Sequence, residues 1–284
     1  MKLESLLDRP NKLPTIPKVT QQLMRSFGDE NVTIEEIAHH LSADPTMSAK
    51  LLRLANSAYF NLSRTIGTVD DALRMLGFTM VRNLVLGQSL GAAFRDTPGM
   101  QMAQFWRYNL YAACGSRWLA QRTGTDADST FTVGLLHGIG QLHLHAAEPR
   151  EAASLDRQCH VLGAARAEAE RAAFGFHHGD VAAELARIWN FPAPIVAALR
   201  AVPEPLAAPP FSPPAGCVHL AAWRARAEVI GATHADAVGE YPMAVGRRLA
   251  VDPVWAEPGD AGAGADARMP ALDKLTEGLE AMLE

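Results

Sequence analysis

Cysteine is scarce. The three residues Cys114, Cys159 and Cys217 stand far apart, with no C-x-x-C pair. That excludes a disulfide framework and predicts buried or inert thiols in a reducing compartment. Positive charge is not in excess either, the formal net charge being −5, so no overall basic field draws the chain to nucleic acid or anionic lipid. No apolar run is long enough to span a bilayer. The short run in M-K-L-E-S-L-L-D-R-P is not a signal peptide, so the expected location is the cytoplasm. Strand-like alternation is nearly absent. So are the loops and elbows G-x-x-x-x-G-K-[ST], G-x-G-x-x-G and G-x-S-x-G, and the zinc motif H-E-x-x-H.

What is present is helix punctuation in an ordinary globular composition, 48% hydrophobic and 20% charged. Leu13-Pro14-Thr15-Ile16-Pro17 is an extended lead-in to a helix over Lys18–Phe27, with Val19, Leu23 and Phe27 on one face. Thr33 and Glu36 form a capping box. Asp44 as N-cap and Pro45 at the first helical position open a helix with Met47, Leu51, Leu54 and Ala58 inward. Thr68 and Asp71 start the next helix, Gly77 stops it, and Thr79 begins Met80–Leu90. Phe105–Gln121 places Trp106, Leu110, Cys114 and Trp118 on one side. Asp126 leads into an apolar helix, Phe131–Leu144, that carries a lone His137 followed by Gly138.

After Glu148-Pro149-Arg150 the Ala-rich stretch Ala152–Phe174 reads as one helix with Gly175 at its C-terminus. Asp180 caps a helix through Trp189. Asn190–Pro194 forms a corner before a helix over Ile195–Val202. Six prolines make Val202–Ala215 an extended loop, and a helix follows over Val218–Ile230. Residues 257–267 are rich in Gly, Ala and Asp and read as mobile. The chain closes with Leu272, Leu275, Leu279 and Met282 at helical spacing. That stripe suits an adaptor or lid helix less well than ordinary packing on the protein's own surface.

The stretch L-L-H-G-I-G-Q around His137 resembles the L-L-H-D-I-G-K centre of the HD phosphohydrolases. Leu13-Pro14-x-Ile16-Pro17, Leu41-Ser42-x-Asp44-Pro45 and Leu51-Leu52-Arg53-Leu54-Ala55-Asn56-Ser57-Ala58-Tyr59-Phe60 are more specific. Together with Leu76-Gly77 and Arg82-Asn83-Leu84-Val85-Leu86 they resemble the HDOD domain, the HD-related output domain of bacterial signalling proteins. The resemblance runs from about Leu13 to Ala222 and includes Glu170, Phe174-Gly175, His178, Leu185, Trp189 and Pro192. It implies an all-α fold: an N-terminal helical subdomain over 1–100, an HD-like helical subdomain over 101–235, and a C-terminal extension over 236–284.

The resemblance also says where a metal site should be. The first-layer histidine falls at Tyr108, and a phenol titrating near about 10 is a poor ligand at neutral pH. The His-Asp dyad falls at His137 and Gly138, and glycine ligates nothing. A later histidine is kept as His178. The adjacent His pair falls near Ala201 and Val202, and the late aspartate at Ala222 within His219-Leu220-Ala221-Ala222. Only His137, His178 and His219 retain donor atoms, and every expected carboxylate is gone. His137 and His178 are therefore expected to be structural imidazoles bonded to nearby carbonyls, with no metal and no cofactor. His39-His40 and His143/His145 have the wrong spacing to share one ion, and His177-His178 suits a helix cap.

The reading that follows is a non-catalytic signalling module that contacts other signalling proteins. One alternative is a metal-dependent phosphohydrolase or cyclic-dinucleotide phosphodiesterase. Another is a nucleotide- or DNA-binding regulator. The helix pair within Thr33–Ser57 imitates a helix-turn-helix, but Lys50 and Arg53 supply little charge even with Arg64, Arg74 and Arg82 nearby. Nucleic acid is not the expected partner, whereas a small nucleotide held without cleavage suits the vestigial pocket.

Overall fold

The computed structural model describes residues 3–7, 41–42, 45–57, 60, 65–257 and 267–279; among them there is no strand. Lys18–Phe27, the Thr33 capping box, Asp44, Ala58, Tyr59 and Met282 lie outside these residues, as does most of the Gly/Ala/Asp-rich segment. The chain divides into two compact units. One comprises residues 1–13, 96–186 and 193–275, the other residues 14–95, 187–192 and 276–284. No helix is long and apolar enough to cross a membrane among the described residues.

In the smaller unit, helix α2 (Pro45–Ala55) follows a short α1 (Leu3–Leu7) of the larger unit. Leu51 and Leu54 of α2 are fully buried, as their spacing requires. Helix α3 (Val69–Ala93) is capped as expected: the Thr68 hydroxyl accepts from the Asp71 amide at 3.1 Å. It is also interrupted as expected, Gly77 having φ 75° and ψ 156° inside it, a conformation that costs glycine little. Asn56, within the Leu51–Phe60 run quoted above, serves its own chain. Its amide donates to the carbonyls of Leu52 and Ile66, each at 2.8 Å, and its oxygen accepts from the Ile66 amide at 2.7 Å. Ser57 and Phe60 stand beside it, half-buried.

The larger unit is built on α4 (Met102–Thr123), which packs against α5 (Ala127–Leu136) and α11 (Pro213–Ile230). Glycines let these helices approach. A Cβ on Gly134 of α5 would stand 2.6 Å from the Ala113 Cα of α4, and one on Gly115 only 3.3 Å from the Ala221 Cβ of α11. Asp126 caps α5 by accepting from the Ser129 amide at 2.7 Å. Around this core lie α6 (Ile139–Ala147), α7 (Pro149–Asp156), α8 (Arg166–Phe174), α9 (His178–Ile188) and α10 (Ala193–Ala201). Three short helices, α12 (Ala235–Val238), α13 (Met243–Arg248) and α14 (Leu272–Thr276), complete it, with a 3-10 turn at Pro253–Ala256. Leu272 is fully buried, so the start of the tail stripe packs on the protein's own surface. Cys114 and Cys217 are buried and Cys159 half-buried, and burial pushes the Cys217 thiol up to about 11.

Four expectations need correction. Phe131–Leu144 is not one helix: α5 ends at Leu136 and α6 begins at Ile139, with His137 and Gly138 in a turn between them. There the Gly138 amide donates to the Asn109 side-chain oxygen at 3.1 Å, and His137 Nδ1 bonds the Gly134 carbonyl at 2.6 Å. Ala152–Phe174 is also two helices, because the Leu162 amide turns to His160 Nδ1 at 3.1 Å and the Ala164 amide to the Ala237 carbonyl at 2.9 Å. The N-cap of α9 is His177, whose Nδ1 accepts from the Asp180 amide at 3.2 Å. Asp180 reaches back to the His177 amide at 3.1 Å, so the two groups cap each other reciprocally. Finally, the proline-rich loop ends earlier than Ala215, since Ser212 caps α11 and Pro213 occupies its first turn.

Candidate functional site

Tyr108 of α4, His137 of the α5–α6 turn, His178 of α9, and His219 and Ala222 of α11 line one cavity of about 250 Å³ in the larger unit. Five positions scattered over more than a hundred residues of sequence thus meet. Gly138 does not join them. A Cβ there would fall 2.6 Å from Asn109 Oδ1, 2.9 Å from its Nδ2 and 2.9 Å from Phe105 Cζ. Asn109 is fully buried and its amide also donates to the Phe105 carbonyl at 2.8 Å. The room a Cβ would need is taken by the ends of two side chains, an amide and a phenyl ring. Val202 lines the cavity and its carbonyl accepts from His219 Nδ1 at 2.8 Å, so it contributes a backbone acceptor there.

The three imidazoles share one arrangement. His137 and His219 each give Nδ1–H to a carbonyl, of Gly134 and Val202, which fixes the tautomer and leaves Nε2 a bare acceptor. His178 differs from expectation in bonding a carboxylate, Glu170 Oε2, at 2.6 Å. Glu170 is fully buried and also receives Arg166 Nε at 3.0 Å, while Arg166 Nη1 reaches Asp156 at 2.7 Å and Asp156 receives His145 Nε2 at 3.1 Å. This continuous ionic network runs from the cavity wall into the core. His145, dismissed on spacing to His143, belongs to it.

Titration follows from these surroundings. Burial drives His137 down to about 3, helped by nearby His178, Arg226 and His219 against the Gly134 hydrogen bond. Burial likewise takes His219 to about 4. Burial alone would raise Glu170, but His178 and Arg166 outweigh it and hold the carboxyl at about 2. Burial raises the Tyr108 phenol, opposed by Arg226, so it remains a neutral hydroxyl.

These shifts fix the pH dependence of folding. The unfolded chain protonates His137 and His219 at the ordinary imidazole value, near about 6.5, while the folded chain holds both neutral. Stability therefore falls as pH drops below that value, by up to about 2 kcal/mol for His137 and somewhat less for half-buried His219 between about pH 7 and pH 5. The Glu170 contribution has the opposite origin. It is in place above the ordinary carboxylate range and is lost only as pH falls through about 2. Urea denaturation at the two pH values should show a loss of roughly 3–4 kcal/mol; equal stabilities would place both imidazoles in water.

Among the described residues no group of three or more His, Cys, Asp or Glu side chains is arranged to hold a metal ion. The residues present do not fit the metal that the HD resemblance implies, because the dyad carboxylate has neither side chain nor space.

Two cavity residues escaped the sequence reading. Arg226 donates from Nε to the Leu162 carbonyl at 2.6 Å and from Nη1 to the Val238 carbonyl at 3.0 Å. Its signal was helical spacing: His219, Ala222, Trp223 and Arg226 fall on one face of α11. Gln141 gives its amide N–H to the Val161 carbonyl at 2.7 Å, which leaves its buried oxygen without a partner.

The sequence model of the HDOD domain matches residues 13–205, more than half of the chain. A candidate phosphohydrolase from Shewanella amazonensis SB2B is 28% identical with a TM-score of 0.73, over 98% of this chain and 96% of that one. A candidate signal transduction protein from Marinobacter aquaeolei VT8 shares the fold at 21% identity and TM-score 0.69, over 98% of this chain and 60% of that one. So does an HDOD domain protein with unknown function from Geobacter sulfurreducens, at 22% and 0.65, over 84% and 78%. An uncharacterized protein of Treponema pallidum (strain Nichols) is 25% identical over 69% of this chain, which spans only 38% of that relative's length.

Proposed function

This chain belongs to the HDOD domain family, an HD-related regulatory family, and from that premise we propose that it is a non-catalytic signalling module, working in the cytoplasm through contact with other signalling proteins. The observation that carries the reading is the packed Gly138 position. Loss of one ligand weakens a metal site, whereas filling the carboxylate's place with Asn109 and Phe105 removes the geometry that two-metal water activation needs. The neutral Tyr108 and the methyl of Ala222 support it from the other ligand positions, and so does the engagement of buried Glu170 and half-buried Asp156 in an ion-pair network with Arg166. The vestigial site would then be His137, His178 and His219 with Tyr108, Gly138 and Ala222. Shape, rather than turnover, is what the fold offers a partner. The order of units at 1–100, 101–235 and 236–284 remains part of the proposal.

The rival reading is a metal-dependent phosphohydrolase, the class named for the Shewanella relative. Incubation of the full chain with a model phosphodiester and Mn, Fe or Zn decides between them. The expected rate equals that of a His137→Ala variant. Hydrolysis that the variant loses would overturn the proposal. Affinity capture that recovers no protein above control under several growth conditions would count against the partner-binding half.

A further inference from the structure

The cavity that lost its metal chemistry retains unspent hydrogen-bonding capacity. His137 Nε2 is buried without a partner, the residue being 4% exposed, and so is Gln141 Oε1, whose residue is also 4% exposed. Buried polar atoms without partners are rare, because each costs on the order of 1–3 kcal/mol. Here two line the same cavity, together with His219 Nε2, held as a third acceptor by the Val202 carbonyl. Beside them stands Arg226, a cation bonded to neutral backbone oxygens and drawn towards the Tyr108 hydroxyl. One fixed cation and three acceptors at one cavity are complementary to an anion that also carries O–H donors.

The cavity, of about 250 Å³ and partly open to solvent, admits a compact molecule of monosaccharide size. Leu162, Ala167, Val202, Pro203 and Trp223 give the walls an apolar face suited to a carbon skeleton. Exposed Glu240 at the lining repels an anion and so weakens its binding.

We propose that this cavity binds a small hydroxylated anion, with its acidic group at Arg226 and its hydroxyls donating to His137 Nε2, His219 Nε2 and Gln141 Oε1. The acidic group is a carboxylate or a phosphate, since one guanidinium serves either. This deepens the non-catalytic reading and rests on it in one respect: the ligand leaves intact.

Calorimetric titration of the full chain with gluconate, ribose 5-phosphate, inorganic phosphate and neutral ribose tests the proposal. At least one of the first two should bind with submillimolar affinity, and ribose and inorganic phosphate at least about tenfold more weakly. Gluconate and ribose 5-phosphate separate the carboxylate from the phosphate source. Arg226→Gln should weaken binding by about tenfold or more, and Ala222→Leu, which fills the cavity, should abolish it. Either variant could disturb folding, so the exposed Glu240→Gln is the third: removing that repulsive carboxylate should tighten binding about two- to fivefold. In nitrogen-detected NMR the His137 Nε2 resonance should move towards that of a hydrogen-bonded acceptor on saturation. Absence of binding by both hydroxylated anions at millimolar concentration overturns the inference, as does binding indifferent to Glu240→Gln and Ala222→Leu. Release of phosphate from ribose 5-phosphate would instead overturn the non-catalytic reading while leaving the site in place.

Discussion

Replacing Glu170 with glutamine is expected to destabilise the protein by about 3–5 kcal/mol, among the largest effects available to one substitution. The side chain keeps its shape, so the loss isolates charge. Glu170 is fully buried between Arg166, 1% exposed, and His178. Without the carboxylate the Arg166 guanidinium remains in the core with only Asp156 to balance it. His178 also loses the acceptor that orients its ring. Urea denaturation followed by tryptophan fluorescence measures the effect. The double variant Arg166→Met with Glu170→Gln should recover much of the loss, because removing both members of a buried pair also removes its desolvation cost. A single-variant loss under about 1 kcal/mol would mean that water reaches Arg166 and that the network is not buried as described.

The second large effect is expected at Gly138. Restoring the aspartate of the HD pattern should not restore a metal site; it should cost about 3 kcal/mol or more. The Cβ meets Asn109 at 2.6 Å and Phe105 at 2.9 Å, and the carboxylate beyond it would enter a volume already packed. Gly138→Ala measures the steric part alone, about 1–3 kcal/mol. Adding Asn109→Gly to Gly138→Asp should relieve part of the strain, since Asn109 supplies the nearest atoms. Stoichiometric metal uptake by a Gly138→Asp protein as stable as its parent would show that the site was only missing a ligand, and the account of a filled site would fail.

Local chemistry was legible in the sequence wherever one residue decides a boundary. Thr68, Gly77, Asp126 and Gly175 were read correctly because a hydroxyl, a carboxylate or a missing Cβ acts on backbone only a few residues away. The longer helices were misread where distant groups intervene. Ala152–Phe174 has the composition of a single helix, yet the Ala237 carbonyl and the His160 ring bond its middle and divide it; propensity is a weak prior against such contacts. Phe131–Leu144 was misread because Asn109, on another helix, bonds the Gly138 amide.

The sequence by itself determined the helical class, the family, and the absence of carboxylates at Gly138 and Ala222, since these depend on residue identity and local spacing. Only the tertiary structure decided that the space at Gly138 is filled rather than open. It alone placed Glu170 beneath His178, and set Arg226 beside two buried acceptors without partners. The reason is that whether a polar atom is satisfied, or a volume occupied, depends on groups that the fold brings from elsewhere in the chain.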